Sequence, residues 1–170
     1  QHEIFERNKE LALAKRTLPI KIDEQKQRVA ECERDMEYLK IHRRTYSEEE
    51  RRRIRKTIFH AIRDNRNNPE ETEVLKYNGF RVVIPAYMVP RSDKIKETAA
   101  DTGDEVTSVT CKEISYVHLI NNGCYYLEIG NEAGITKRLD NFFEKFDRQK
   151  ENRANVLKNL EARLKDLEDI

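Results

Sequence analysis

The chain has 170 residues, 38% of them charged and 37% apolar, and its 33 Lys and Arg nearly cancel its 32 Asp and Glu to leave a net charge of +1. That length suits one domain with an extension. The balance excludes a polycation, so any nucleic-acid contact has to rest on a local patch. High charge with the apolar residues gathered in stripes is the composition of long paired helices, not of a disordered chain. Cys32, Cys111 and Cys124 are odd in number, widely spaced and without a CxxC. They exclude a disulfide scaffold, point to a reducing, cytoplasmic setting, and are expected as small buried or half-buried residues. No signal-peptide pattern or membrane-length apolar run is present, so no membrane partner is expected. The chain begins at Gln1 without Met, and both ends lie inside heptad pattern, so it reads as a piece of a longer protein.

The first predicted element is a helix over about residues 3–39, roughly 55 Å long at the standard rise. Ile4, Asn8, Leu11, Lys15, Leu18, Ile22, Gln25, Val29, Cys32, Met36 and Leu39 form its seam. Its polar members, Asn8, Lys15 and Gln25, are expected to set register or orientation. Pro19 predicts a kink or break near Thr17-Leu18-Pro19, because proline removes a helical hydrogen bond and crowds the preceding turn. Residues 41–46 read as a connector. Ser47 with Glu50 then spells a capping box, and Glu48 and Glu49 suit the positive end of a helix dipole. The second helix, about 47–64, carries Ile54, Ile58, Ala61 and Ile62 on one face and stops at Asn65-Arg66-Asn67-Asn68-Pro69.

Lys40, Arg43, Arg44, Arg51, Arg52, Arg53, Arg55 and Lys56 are the one local basic concentration, set against Glu48, Glu49 and Glu50. Two readings stand. Arginine-rich helix ends contact phosphates, with Tyr46 or His42 available for stacking. Equally, such a run forms a solvated helix face laced by ion pairs one turn apart.

Residues 70–76 are acidic and read as a short turn. Residues 80–88 are β-rich, and Pro85 marks them as an edge or bulged strand. Residues 91–105 are polar and without periodicity, which reads as a long loop, and 106–113 as a short added strand. Residues 114–121 and 124–130 flank Asn122-Gly123, a type I′ hairpin signal. The resulting small antiparallel sheet has to pack on helices, and the second helix with Phe142 and Phe143 are the candidates. The glycines of 130–134 read as a turn out of the strand, not a phosphate loop. Asn141 with Glu144 predicts a second capping box and a last helix starting near Asp140, with Asp140 a helix-capping residue. That helix carries Leu139, Phe142, Phe146, Gln149, Arg153, Val156, Leu160, Arg163, Leu167 and Ile170 as a heptad stripe. A lone stripe of this kind needs a partner, and the simplest partner is the first helix.

No catalytic chemistry is legible. His2, His42, His60 and His118 are far apart, without a partner one turn away or a cysteine at ligand spacing, so no metal site and no cofactor are expected. No serine stands in GxSxG, and the carboxylates are scattered over solvated helix faces.

Tyr77-Asn78-Gly79-Phe80, Ile84-Pro85-Ala86, Tyr125-Tyr126-Leu127-Glu128-Ile129-Gly130 and Ile135-Thr136-Lys137-Arg138-Leu139-Asp140-Asn141, followed by a heptad helix, form an ordered series of short motifs. The series resembles the C-terminal region of very large bacterial and phage-like DNA helicase proteins. These are SNF2-like members of superfamily 2, often fused to an adenine-specific DNA methylase. The resemblance covers residues 77–170. It implies a DNA-handling, ATP-dependent parent whose engine lies outside this stretch, which has no GxxxxGK[ST], DEAH-like box or DPPY-type motif.

The expectation is therefore an α+β, mostly α fold. Residues 1–39 and 147–170 form an antiparallel coiled-coil arm, and residues 40–146 form a small α+β head, with Arg138, Asp140 and Asn141 as a structural joint. The expected role is a non-catalytic accessory domain of a helicase, partnered by DNA and the rest of its parent. The alternative is a coiled-coil scaffold or oligomerisation module, including a homodimer through the heptad seam, with no nucleic-acid contact.

Overall fold

A computed structural model describes residues 1–88, 91–98 and 105–169, with side chains described for 1–88 and 115–169. The chain is mostly helical with a small antiparallel sheet, the expected fold class. It divides into two compact units, residues 1–41 with 145–170, and residues 42–144.

The first unit pairs the long helix α1 (His2–His42) with α4 (Asp147–Glu168). Gln25 Nε2 donates to the Arg153 carbonyl at 2.9 Å, and the Arg153 guanidinium donates to the Arg28 carbonyl at 3.1 Å. Lys150 and Glu33 approach within 3.8 Å. Moving up α1 thus means moving down α4, so the pair is antiparallel and formed within one chain. Of the three polar seam positions expected to set register or orientation, Gln25 is buried and bonded to Arg153, whereas Asn8 and Lys15 are exposed. Leu18, Ile22, Cys32 and Leu39 bury the α1 stripe, whereas Ile4, Asn8 and Lys15 are exposed.

Two expectations for this unit are corrected. The α1 helix runs unbroken through Pro19. Pro19 and Lys15, whose carbonyl loses its usual donor, are exposed, while Leu18 and Ile22 are buried on either side. Water can serve the freed carbonyl while packing holds both turns in line. The inward stripe is Phe146 just ahead of α4, then Lys150, Arg153, Leu157, Leu160, Leu164 and Leu167 on it, and Val156 and Arg163 are exposed. The two stripes share every second member. They differ in which flank faces the partner, and Leu157 with Leu164 bury more apolar surface than Val156 with Arg163.

The second unit contains α2 (Glu48–Asp64), β1 (Thr72–Tyr77), β2 (Phe80–Ile84), β3 (Arg91–Thr98), β4 (Glu105–Ile120), β5 (Cys124–Ile129), a 3-10 turn (Glu132–Gly134) and α3 (Ile135–Glu144). All strand pairs are antiparallel. The long β4 pairs β3 along its first half, and β2 and β5 on its two sides along its second. Phe80, Val82, Ile84, Val117, Leu119, Tyr125 and Ile129 are buried on one sheet face, with Ile58 and Ile62 of α2 and Ile135, Leu139 and Phe143 of α3. Phe143 meets Phe80 edge-on at 5.0 Å and Tyr77 at 6.0 Å.

Several local expectations change. The acidic stretch read as a turn is β1, an edge strand with a bulge at Val74, and its charges mask the strand alternation. The type I′ geometry belongs to Asn78-Gly79, whose φ values are 50° and 82°, closing the Tyr77↔Phe80 pair. The β4–β5 hairpin is present, but its last pair is Ile120↔Cys124, leaving a three-residue loop in which Asn122 has no left-handed backbone. β2 stops at Ile84, because Pro85 cannot donate to a ladder. Residues 91–98 are β3 instead of loop, and β4 absorbs the short strand expected at 106–113; residues 99–104 lie outside the described residues. The last helix is two helices, broken at residues 145–146. Asn141 and Asp140 sit inside α3 and cap nothing. Asn131 does the capping, its Oδ1 accepting the Gly134 N–H at 3.0 Å ahead of α3.

Phe143→Ala should cost the second unit about 3–5 kcal/mol through the cavity it leaves. Leu160→Asp should instead loosen α1 and α4. Hydrogen exchange resolved by segment checks both, and equal loss of protection in both units from each change would contradict the division.

Candidate nucleic-acid interface

The basic cluster is placed by a short connector, residues 43–47, and by α2. Ser47 is the N-cap, its Oγ accepting the Glu50 N–H at 3.2 Å while the Glu50 carboxylate accepts the Ser47 N–H at 3.4 Å, which completes the expected capping box. The β1–β2 turn pins the connector. Asn78 Oδ1 accepts the Arg44 N–H at 3.2 Å, and the Asn78 N–H donates to the Tyr46 hydroxyl at 2.9 Å. The Tyr46 ring stacks on Tyr77 at 4.6 Å, and the Arg44 guanidinium lies 4.3 Å from its centroid. A base approaching Tyr46 therefore competes with both. His42, the other stacking candidate, is the exposed last residue of α1.

Helical periodicity sorts the arginines. Ile58 and Ile62 face the core, and Arg51 and Arg55 share that side, where both find internal partners. Arg51 bonds Asp140 at 2.8 Å, and Arg55 bonds Glu48 at 3.0 Å and the Thr136 hydroxyl at 3.2 Å. Arg52, Arg53 and Lys56 lie on the exposed side, with Arg43 exposed just before the helix. Arg43, Arg52 and Lys56 make no ion pair among the described residues. Arg53 reaches Glu49 only at 3.8 Å, with both side chains largely exposed, a pairing worth little. Arg44 is ion-paired to Glu50. Lys40 belongs to the other unit and pairs with Glu37 at 2.9 Å.

Arg44, Tyr46, Glu50, Arg53 and Ile54 line an open groove of about 440 Å³ with Leu75 and Lys76 of β1. Lys76 was missed in the sequence because β1 was missed. The signal was present in Asn78-Gly79, which implies a strand immediately before it.

Asp140 and Arg138 of the expected joint are engaged within the second unit. The Asp140 carboxylate accepts the Tyr77 hydroxyl and pairs with Arg51, tying α3 to β1 and α2. The Arg138 guanidinium donates to the Glu128 carbonyl at 3.2 Å and covers Gly130, where a Cβ would stand 3.0 Å from it. Asn141 is exposed. Burial first, then the Asp140 hydrogen bond, pushes the Tyr77 phenol well above its ordinary 10.0. The Asp140 hydrogen bond likewise raises Arg51. The Arg55 hydrogen bond holds Glu48 below 4.5, and the Ser47 backbone N–H does so for Glu50.

The remaining candidates take ordinary places. Burial lowers the His118 imidazole on β4, and His60 is exposed beside Arg63 at 3.2 Å. Among the described residues no three His, Cys, Asp or Glu are grouped to hold a metal ion. Cys32 is buried, whereas Cys124 is exposed, because it opens β5 on the outer sheet face. That face also carries Tyr116 and Tyr126 with rings 5.0 Å apart, and Arg81 there is paired to Glu73 at 3.0 Å. No helix of the described residues is long and apolar enough to cross a membrane. Among the described residues, the cationic side of α2 with its groove is the arrangement whose charge favours anions.

Tyr77→Phe removes a charge-assisted hydrogen bond and should cost about 1.5–3 kcal/mol, measured by urea unfolding. Because the folded pKa of Tyr77 is raised, its contribution is full below pH 10.0 and is lost as pH rises beyond it. The alkaline fall in stability should flatten in Tyr77→Phe and persist in Tyr126→Phe, whose ring is exposed. No family model matches the chain and no curated protein or solved structure is similar to it, so its function has to be read from this geometry.

Proposed function

We propose that this chain is a non-catalytic accessory domain of a DNA helicase, touching DNA through the connector and the exposed side of α2. One observation carries the reading. The fold separates the basic cluster, turning Arg51 and Arg55 inward to structural partners and leaving Arg43, Arg52, Arg53 and Lys56 on the surface, where the one ion pair they make among the described residues, Arg53 with Glu49, is long and exposed. Such cations neutralise phosphates and release counterions, which makes binding salt-dependent and indifferent to base sequence. The motif series of residues 77–141, with its resemblance to helicase C-terminal regions, supports the same reading. The motor would lie in the rest of the parent protein.

A second reading, a helical scaffold or oligomerisation module, draws on the exposed Ile4 and Phe5 of α1. Light scattering tests it, since a concentration-dependent dimer would favour it and a monomer at all concentrations would not.

For DNA contact, the quadruple change Arg43→Glu, Arg52→Glu, Arg53→Glu and Lys56→Glu should abolish salt-sensitive binding while the circular dichroism spectrum stays native. Each cation that touches phosphate should account for about 0.9 of the slope of log K against log salt on duplex DNA, or about 0.7 on a single strand. Binding unchanged by the four reversals would sink the proposal.

A further inference from the structure

The groove at the start of α2 is more than a phosphate contact. A helix meeting duplex phosphates needs only a convex cationic surface, because the bases are stacked away inside. Here Arg44, Arg53 and Lys76 line an open groove of about 440 Å³ whose wall includes the half-buried Ile54 and Leu75. That volume falls within the range of small-molecule sites, roughly 300–1,000 Å³. Apolar lining is of no use to a phosphate, but it suits the face of an unstacked base.

We infer that this groove receives one unstacked nucleotide, so that the domain prefers single-stranded to duplex nucleic acid. The inference rests on the DNA-contact reading and names the form of nucleic acid that the same site takes. The charges orient the nucleotide. Glu50 is the one carboxylate among the lining residues, and it is held in place by Ser47 and Arg44. It keeps phosphates off the inner wall. Arg53 of α2 and the exposed Lys76 of β1 both line the groove and are its cations for the flanking phosphates. The Arg44 guanidinium, set over Tyr46, offers a planar cation on which a base can stack. The groove depends on the β1–β2 turn, because Asn78 fixes both Arg44 and Tyr46.

The test is fluorescence anisotropy with a labelled DNA single strand and the same sequence as a duplex, on the whole chain. The single strand should bind about tenfold tighter, the worth of one stacked base. Lys76→Glu and Leu75→Thr should each remove most of that preference and change duplex affinity less than about twofold, since neither residue lies on the exposed side of α2. Equal affinity for the two forms, or equal loss of both in Lys76→Glu, overturns the inference. If that equal binding still depends on Arg43, Arg52, Arg53 and Lys56, the DNA-contact reading survives without it. Absence of binding to either form overturns both. Should either variant unfold, the ratio of affinities in the unaltered chain decides.

Discussion

The second unit is organised around Tyr77. Its ring is fully buried, stacked against Tyr46 and set near Phe143, and its hydroxyl is given to Asp140. One side chain thus joins the edge strand, the connector and α3, and through Asp140 also Arg51 of α2. A buried phenol without an acceptor would cost free energy, and a carboxylate is the strongest acceptor available. Asp140 in turn gains two donors while remaining half-exposed, which avoids the cost of burying a charge outright. The turn that follows Tyr77 transmits this anchoring to the surface, because Asn78 bonds the connector at Arg44 and Tyr46. The groove's geometry is therefore set by the core beside it.

The α2 helix shows how one charged run serves two purposes. Its arginines look alike in sequence, but the helical turn places Arg51 and Arg55 beside the apolar face and Arg52, Arg53 and Lys56 away from it. The inward pair is partly buried and meets acceptors on α2 and α3. The outward set keeps its charge available. The ion pair one turn apart that the solvated-face reading expects, Arg53 with Glu49, lies on the outward side, while the inward arginines find partners elsewhere.

The paired helices obey a simpler constraint. A stripe of apolar residues on α1 and another on α4 remove each other from water, and Gln25 adds a directional bond that apolar contacts cannot supply.

The sequence by itself determined the elements whose signals are local. The 3.6-residue period of α1 and the outer half of α4, the Ser47–Glu50 capping box and the stop at residues 65–69 each follow from neighbours within a turn or two. It also located the basic cluster and the β4–β5 hairpin. Tertiary structure decided whatever depended on partners distant in the chain. Leu157 and Leu164 replaced Val156 and Arg163 because a stripe's flank is chosen by the helix opposite. Pro19 stayed helical because packing on both sides outweighs one lost hydrogen bond exposed to water. β1 was hidden because an edge strand with charged residues shows little alternation until β2 is beside it. Asp140 resembles a cap in sequence and proves to be an acceptor, because Tyr77 and Arg51 reach it across 63 and 89 residues of chain. The groove combines both levels. Arg44, Glu50 and Arg53 are legible in the sequence as a cluster, but Leu75 and Lys76 join them only once the sheet has formed.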